Sequence, residues 1–142
     1  MIILDRDTYE AILAHCCEEY PHEACGLLVG RAEQDGAKRL VRAERARNLN
    51  TERAHDRYEL DPQDFLRVDR SLDGTGYAIA GVYHSHPDHP ARPSAFDTER
   101  AWPGVSYLLV SVARGRPAEA RSWVLDEGTQ TFREEPIRIE QG

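Results

Sequence analysis

Residues 76–97 read GYAIAGVYHSHPDHPARPSAFD. An apolar run from Tyr77 to Tyr83 passes directly into two histidines and is halted by Pro87. Such a run predicts a buried strand over 76–86. Proline has no amide hydrogen for a ladder, so Pro87 predicts where the chain leaves the sheet. Alternate strand residues share a face. His84 and His86 are therefore expected to project together, in phase with Ala78, Ala80 and Val82. Tyr77, Ile79, Gly81 and Tyr83 should face the other way, and Ser85 with them.

Working outward, Tyr9, Ile12, Leu13, Cys16, Cys17 and Tyr20 follow helical spacing, which predicts an amphipathic helix over 7–20 that Pro21 ends. That phase places Cys16 and Cys17 on the buried stripe, where a thiol packs as a small hydrophobe. Residues 24–30 (ACGLLVG) read as a buried strand and 37–49 as a more exposed partner. The arginine-rich part of that partner, 39–47, reads as a solvated strand or its edge, and 50–57 reads as loop. Residues 58–60 suit a brief strand. Asp61 as cap, Pro62 in the first turn and Gly74 as stop predict a helix over 61–74. A short helix should open at Ser94. Strands are expected over 105–113, 119–127 and 129–139, separated by Gly- and Pro-bearing turns. The expected fold class is α/β: a single domain over 1–142, with a mixed β-sheet flanked by two or three helices.

Composition narrows the function classes. The chain has 142 residues, 40% apolar and 30% charged, the balance of an ordinary globular domain with one core. A formal charge of −7 argues against a nucleic-acid partner, which needs clustered Lys and Arg to neutralise phosphate. No stretch approaches the roughly 18 apolar residues of a membrane span. The first residues lack a basic segment followed by a long apolar run. Three cysteines, two of them adjacent, make no paired framework, and a reducing cytoplasm is the expected setting.

Two imidazoles side by side on an apolar strand each lose water unless given partners. One partner is a metal ion. Asp97 lies eleven positions beyond His86, with enough chain between to fold back. Two His and one carboxylate suit a catalytic zinc site that keeps one position open. Plainer readings exist for each residue. The histidines could form a polar strand end. Ser94 and Asp97 are spaced like a helix capping box. His89 suits an exposed turn, with a substrate contact as the alternative. Ser85 lacks the G-x-S-x-G surroundings of a nucleophile and faces away from both imidazoles. The H-x-E and P-C-x-x-C pattern of zinc deaminases is absent from the sequence. Glu23, just ahead of the 24–30 strand, is on spacing alone either solvated or a base for a metal-activated water.

HEACGLLVG (22–30) followed by HSHPDHPARPSAFD (84–97) resembles the JAMM (JAB1/MPN/Mov34) metalloprotease family. Its signature is a glutamate ahead of a Gly-Leu-rich strand, then H-x-H, seven residues, Ser, two residues, Asp. The segment 47–67 is also similar to short bacterial members. The resemblance implies a mixed sheet flanked by helices, related to the deaminase fold. It implies zinc held by His84, His86 and Asp97, Glu23 as general base, and Ser94 as an oxyanion donor. It further implies a peptidase or isopeptidase. Short bacterial relatives are similar to enzymes that trim a residue such as cysteine from a ubiquitin-like sulfur-carrier protein, and the resemblance implies a carrier ending in Gly-Gly as the expected partner. The alternatives are a broader metallo-isopeptidase and a non-catalytic MPN-type scaffold. The residue released, the pathway served and the oligomeric state stay open.

Overall fold

The computed structural model describes residues 1–141, so Gly142, the last position of the expected domain, lies outside the described residues. The strands are β1 (Ile2–Asp5), β2 (Cys25–Ala32), β3 (Lys38–Ala46), β4 (Ala78–Pro87), β5 (Ser106–Ala113), β6 (Arg116–Asp126), β7 (Thr131–Glu135) and β8 (Ile137–Glu140). The helices are α1 (Arg6–Glu19), α2 (Pro62–Ser71) and α3 (Ala95–Arg100). All eight strands join one mixed sheet in the order β7-β6-β5-β4-β2-β3-β1-β8. This is the single-domain α/β fold expected from the sequence. No helix among the described residues is long and apolar enough to cross a membrane.

The sheet's outer strands are neighbours in the chain. Only Pro136 separates β7 from β8, and its carbonyl accepts a 3.0 Å hydrogen bond from the Ile2 amide. Strands one residue apart cannot reach both edges of a flat sheet, so the sheet curls until its edges approach. The sequence predicts one strand over 129–139; instead Pro136, which cannot donate to a ladder, divides it into two strands on opposite edges. A second departure is β1, which precedes the predicted helix and pairs in parallel with both β3 and β8. The arginine-bearing β3 is accordingly an internal strand, not an edge, and its charges lie on the solvated side in pairs such as Arg42–Glu44 and Arg45–Glu18.

The helices form where local signals place them. Asp5 caps α1, accepting from the Thr8 amide at 2.7 Å. Asp61 caps α2 with Pro62 in its first turn, accepting from Gln63. The sheet's two faces carry separate apolar clusters. On one face, Ile12 and Cys16 of α1 pack on Ile2, Leu4, Leu28, Tyr83, Leu108 and Val110. On the other, Val68 and Leu72 of the α2 region pack on Leu27 and Val29. Each fully buried aliphatic side chain contributes about 1.5–3 kcal/mol. Cys17 is half-buried at the cluster's margin.

The simple two-residue period along β4 does not survive. The β2–β4 register shifts between Leu28 and Val29, whose partners are Gly81 and Ile79, so Ala80 is the unpaired residue of a bulge. Each extra residue inverts the phase on one side of it. Tyr77, Ile79 and Val82 therefore share the α2 face, while Ala80 joins Tyr83 on the α1 face. Beyond the bulge the expected alternation stands, with Ser85 opposite in sense to its flanking histidines.

Candidate metal centre and its cleft

Each functional side chain is placed by a different element. The antiparallel β2–β4 register pairs Cys25 with His84. Continuing it two residues sets Glu23 across from His86, and the Ser85 amide bonds to the Ala24 carbonyl at 3.1 Å. Ser85 Oγ accepts from the Ala24 amide at 2.8 Å, so this serine ties β4 to the segment bearing Glu23. The Glu23 backbone is held further by Ala54, whose carbonyl takes the Glu23 amide, and by the Asn48 side chain, which donates to the Glu23 carbonyl.

After Pro87 the chain turns through 88–93 and is clamped from several sides. Tyr20 OH and the Arg114 amide donate to the Asp88 carboxylate. Ser111 Oγ donates to the His89 carbonyl, and Trp123 Nε1 to the Ala91 carbonyl. The clamped turn delivers α3. Ser94 caps this helix: its Oγ accepts from the Asp97 amide at 3.1 Å, and the Asp97 carboxylate accepts from the Ser94 amide at 2.9 Å. The capping reading of Ser94 and Asp97 thus describes the local geometry, and it also aims Asp97 at the histidines.

The result is a close triangle. Nε2 of His86 lies 3.2 Å from Nε2 of His84 and 3.1 Å from Asp97 Oδ2. Nε2 of His84 lies 3.3 Å from Asp97 Oδ1. All three side chains are buried. His86 Nδ1 sits 2.9 Å from the Pro90 carbonyl, which can only accept. Its hydrogen is therefore on Nδ1, and the Nε2 lone pair points into the triangle. Converging lone pairs at this spacing need a shared cation or protons to hold them. Donors about 2.0–2.1 Å from a tetrahedral zinc are about 3.3–3.4 Å from one another; the two imidazole nitrogens, 3.2 Å apart and each with its own Asp97 oxygen at 3.1–3.3 Å, stand close to that spacing. A wider grouping of His84, His86 and Glu23, within 4.8 Å of one another, also satisfies metal-binding geometry. Asp97 lies at contact distance from both imidazoles.

Electrostatics follow from burial. For Asp97, burial alone would push the carboxyl up, but its close contacts with the His84 and His86 rings outweigh it and hold it far below the usual carboxylate range. Burial lowers His84 despite Asp97. For His86, burial acts downward too, but the Asp97 contact dominates and the imidazole is raised. Glu23 is pushed up to about 8, first by burial and then by the Asp97 charge, against the opposing effect of His86. Its Oε1 has no hydrogen-bond partner, a state shared among the described buried side chains only by His84 Nδ1. An unpaired carboxylate oxygen beside the triangle is free to handle a proton.

The aromatic residue missed by sequence reasoning is Tyr58. Its ring stacks on His84 with centroids 4.2 Å apart and planes 25° apart. His84 Nδ1 lacks a hydrogen bond, so the imidazole is oriented by this stack together with its Nε2 contacts. The expected brief strand over 58–60 reduces to one bridge, Asn48 to Leu60. An aromatic ending a polar loop was the available signal, but no local pattern says which ring it covers. The triangle opens on a cleft of about 420 Å³ whose walls include Glu23, Ser94, His86, His89, Arg57 and Phe96. His89 is exposed on this wall.

A family profile described as prokaryotic homologs of the JAB domain matches residues 5–126. The chain belongs to the prokaryotic JAB family. This JAB domain is 36% identical over 142 residues to a protein named desampylase from Haloferax volcanii, covering 96% of this chain and 95% of that protein. It is 31% identical over 140 residues to the CysO-cysteine peptidase of Mycobacterium tuberculosis, covering 98% of this chain and 91% of that protein. Among solved structures, protein DSY2949 from Desulfitobacterium hafniense superposes with a TM-score of 0.86 at 33% identity, covering 100% of this chain and 94% of that one. The JAB family is the one the two sequence motifs resemble, and its short prokaryotic members match this chain over nearly its whole length.

Proposed function

We propose that this JAB-family chain is a zinc-dependent peptidase or isopeptidase. Its substrate in this reading is the amide that follows the C-terminal Gly-Gly of a ubiquitin-like sulfur-carrier protein, and it releases an amino acid such as cysteine. The observation that carries the reading is the triangle of His84 Nε2, His86 Nε2 and Asp97 carboxylate at 3.1–3.3 Å. The relatives' names, a desampylase and a CysO-cysteine peptidase, support the substrate class. Both are similar to this chain across more than nine-tenths of their lengths.

In this mechanism His84, His86 and Asp97 would hold the ion. Zinc held there would supply a Lewis acid and lower the pKa of water toward about 7. Glu23 accepts the proton released as water attacks the scissile carbonyl and returns it to the departing amine. Burial raises its carboxyl to about 8 in the metal-free protein, and a cation held beside it would draw that value down, toward the working pH such a shuttle needs. Ser94 Oγ spends a lone pair on the Asp97 amide, leaving its hydroxyl hydrogen to donate to the oxygen on which charge develops. Removing such a donor typically costs about 2.7–4 kcal/mol of transition-state stabilisation.

The test combines zinc content with mass spectrometry of a carrier–cysteine conjugate before and after incubation. Expected is a chelator-sensitive mass loss of one residue, absent in Glu23→Gln protein that still binds zinc. Full turnover in zinc-loaded Glu23→Gln protein, or cleavage unaffected by chelation, would refute the reading.

A further inference from the structure

The chain as a whole carries a net charge of −7, yet the cleft beside the triangle is walled by Arg53, Arg57 and Arg92 against only Asp56 and Glu23. Arg53 is committed to Asp56, its Nε 3.1 Å from Oδ1 and its Nη2 in contact with Oδ2. Arg57 and Arg92 have no carboxylate within ion-pair distance among the described residues. Arg57 is half-buried, and its guanidinium lies 4.6 Å from the centroid of Phe96, whose ring also carries Arg100 at 4.5 Å. Such stacking leaves the guanidinium's edge, with its hydrogen-bond donors, free to face a ligand.

Position makes this cation informative. Arg57 adjoins Tyr58, which stacks on His84. Phe96 adjoins Asp97, which contacts both histidines. The Arg57–Phe96 contact thus joins the loop behind one imidazole to the helix bearing the carboxylate, and it lines the same cleft as Glu23 and Ser94. When one amino acid leaves a chain end, its free carboxylate is two bonds from the scissile nitrogen, within about 5 Å of the scissile carbon. An isopeptide to a lysine places methylenes there instead.

We propose that Arg57, assisted by Arg92 on the same cleft, binds the free α-carboxylate of the departing amino acid and so makes the site a reader of chain ends. This rests on the peptidase reading above and adds the specificity: linear, carboxylate-terminated adducts over isopeptides. Planar bidentate pairing with a carboxylate is the interaction for which a guanidinium is shaped.

The experiment is binding of three fluorescein-labelled peptides to zinc-loaded Glu23→Gln protein, read by fluorescence anisotropy. The peptides end in Gly-Gly-Ala carboxylate, Gly-Gly-Ala carboxamide and Gly-Gly-Glu carboxamide. A charge-assisted hydrogen bond predicts at least a tenfold preference for the Ala carboxylate over its carboxamide. The preference should vanish in Arg57→Met, whose thioether can still pack on Phe96, and persist in Arg138→Met on distant β8. Equal binding of the Ala pair, no binding of either, or a preference that survives Arg57→Met overturns the proposal. So does Glu carboxamide binding as tightly as Ala carboxylate, which would assign the site to an acidic side chain. Because the readout is binding to inactive protein, failure of the active protein to cleave a carrier conjugate counts against the peptidase reading separately.

Discussion

Glu23→Gln in the metal-free protein offers a thermodynamic test of the site that needs no substrate. The Glu23 carboxyl has a reference value of 4.5 and is pushed up to about 8 in the fold, mainly by burial. Between those values the folded protein holds a proton that the unfolded chain has released. Stability linked to this group is therefore complete below about pH 4.5, falls as pH rises, and is lost above about 8. The slope is about 1.4 kcal/mol per pH unit, so Glu23 should cost the wild type about 3 kcal/mol between pH 5 and 7.5. A glutamine has no proton to lose. Burying its amide adds a fixed penalty, but that penalty is independent of pH and cancels from the slope. Urea unfolding of chelator-treated wild type and Glu23→Gln, at half-unit steps from pH 5 to 7.5, should show the difference widening in the variant's favour. Zinc should flatten the wild-type curve, because a cation beside the carboxylate favours its charged form. Parallel curves for the two metal-free proteins would show that Glu23 is ionised and solvated in the fold, and would remove the physical basis for its role as a proton shuttle.

Three further outcomes follow from the geometry. Tyr58→Ala should weaken zinc binding about 10–100-fold, as loss of an orienting neighbour does, whereas Tyr58→Phe should preserve it; a competitive chelator titration measures both. Ser94→Ala should cost about 1 kcal/mol of stability through loss of the α3 cap and about 10²–10³-fold in kcat through loss of the oxyanion donor; calorimetry and conjugate cleavage separate the two effects. Gly26→Ala places a Cβ 2.1 Å from the Tyr83 ring, which is itself held by a 2.6 Å hydrogen bond to His15. Overpacking of that kind should destabilise the fold by about 1–3 kcal/mol in thermal unfolding, with zinc affinity unchanged.

Much of the local structure was legible because its causes are local. The caps at Asp61 and Ser94, Pro62 in a first turn, Pro87 at a strand's end and the apolar stripe of α1 each act within a few residues. The site's residue types were legible for a similar reason: an H-x-H on an apolar strand is costly to bury without a partner, whatever surrounds it. What failed were features that depend on a distant segment. The strand over 129–139 reads as continuous until Pro136 must send its halves to opposite edges of a curling sheet. β1 has no alternating signature because Ile2, Ile3 and Leu4 are all buried, and the strands that pair with it, β3 and β8, are far along the chain. The β4 alternation expected from the sequence holds only beyond Ala80, since a bulge is a property of the pair of strands and only its partner β2 reveals it.

The sequence alone determined the chemistry on offer: two imidazoles in step, a carboxylate within folding reach, a serine to cap the helix that bears it, and an acid ahead of a buried strand. Only the tertiary structure decided their meeting. Strand register set Glu23 across from His86, the clamped turn brought Asp97 within contact of both histidines, and a loop residue, Tyr58, supplied the stack that helps orient His84. The physical reason is that hydrogen-bond propensity and capping are short-range, while the convergence of lone pairs on one point is fixed by pairings between segments dozens of residues apart.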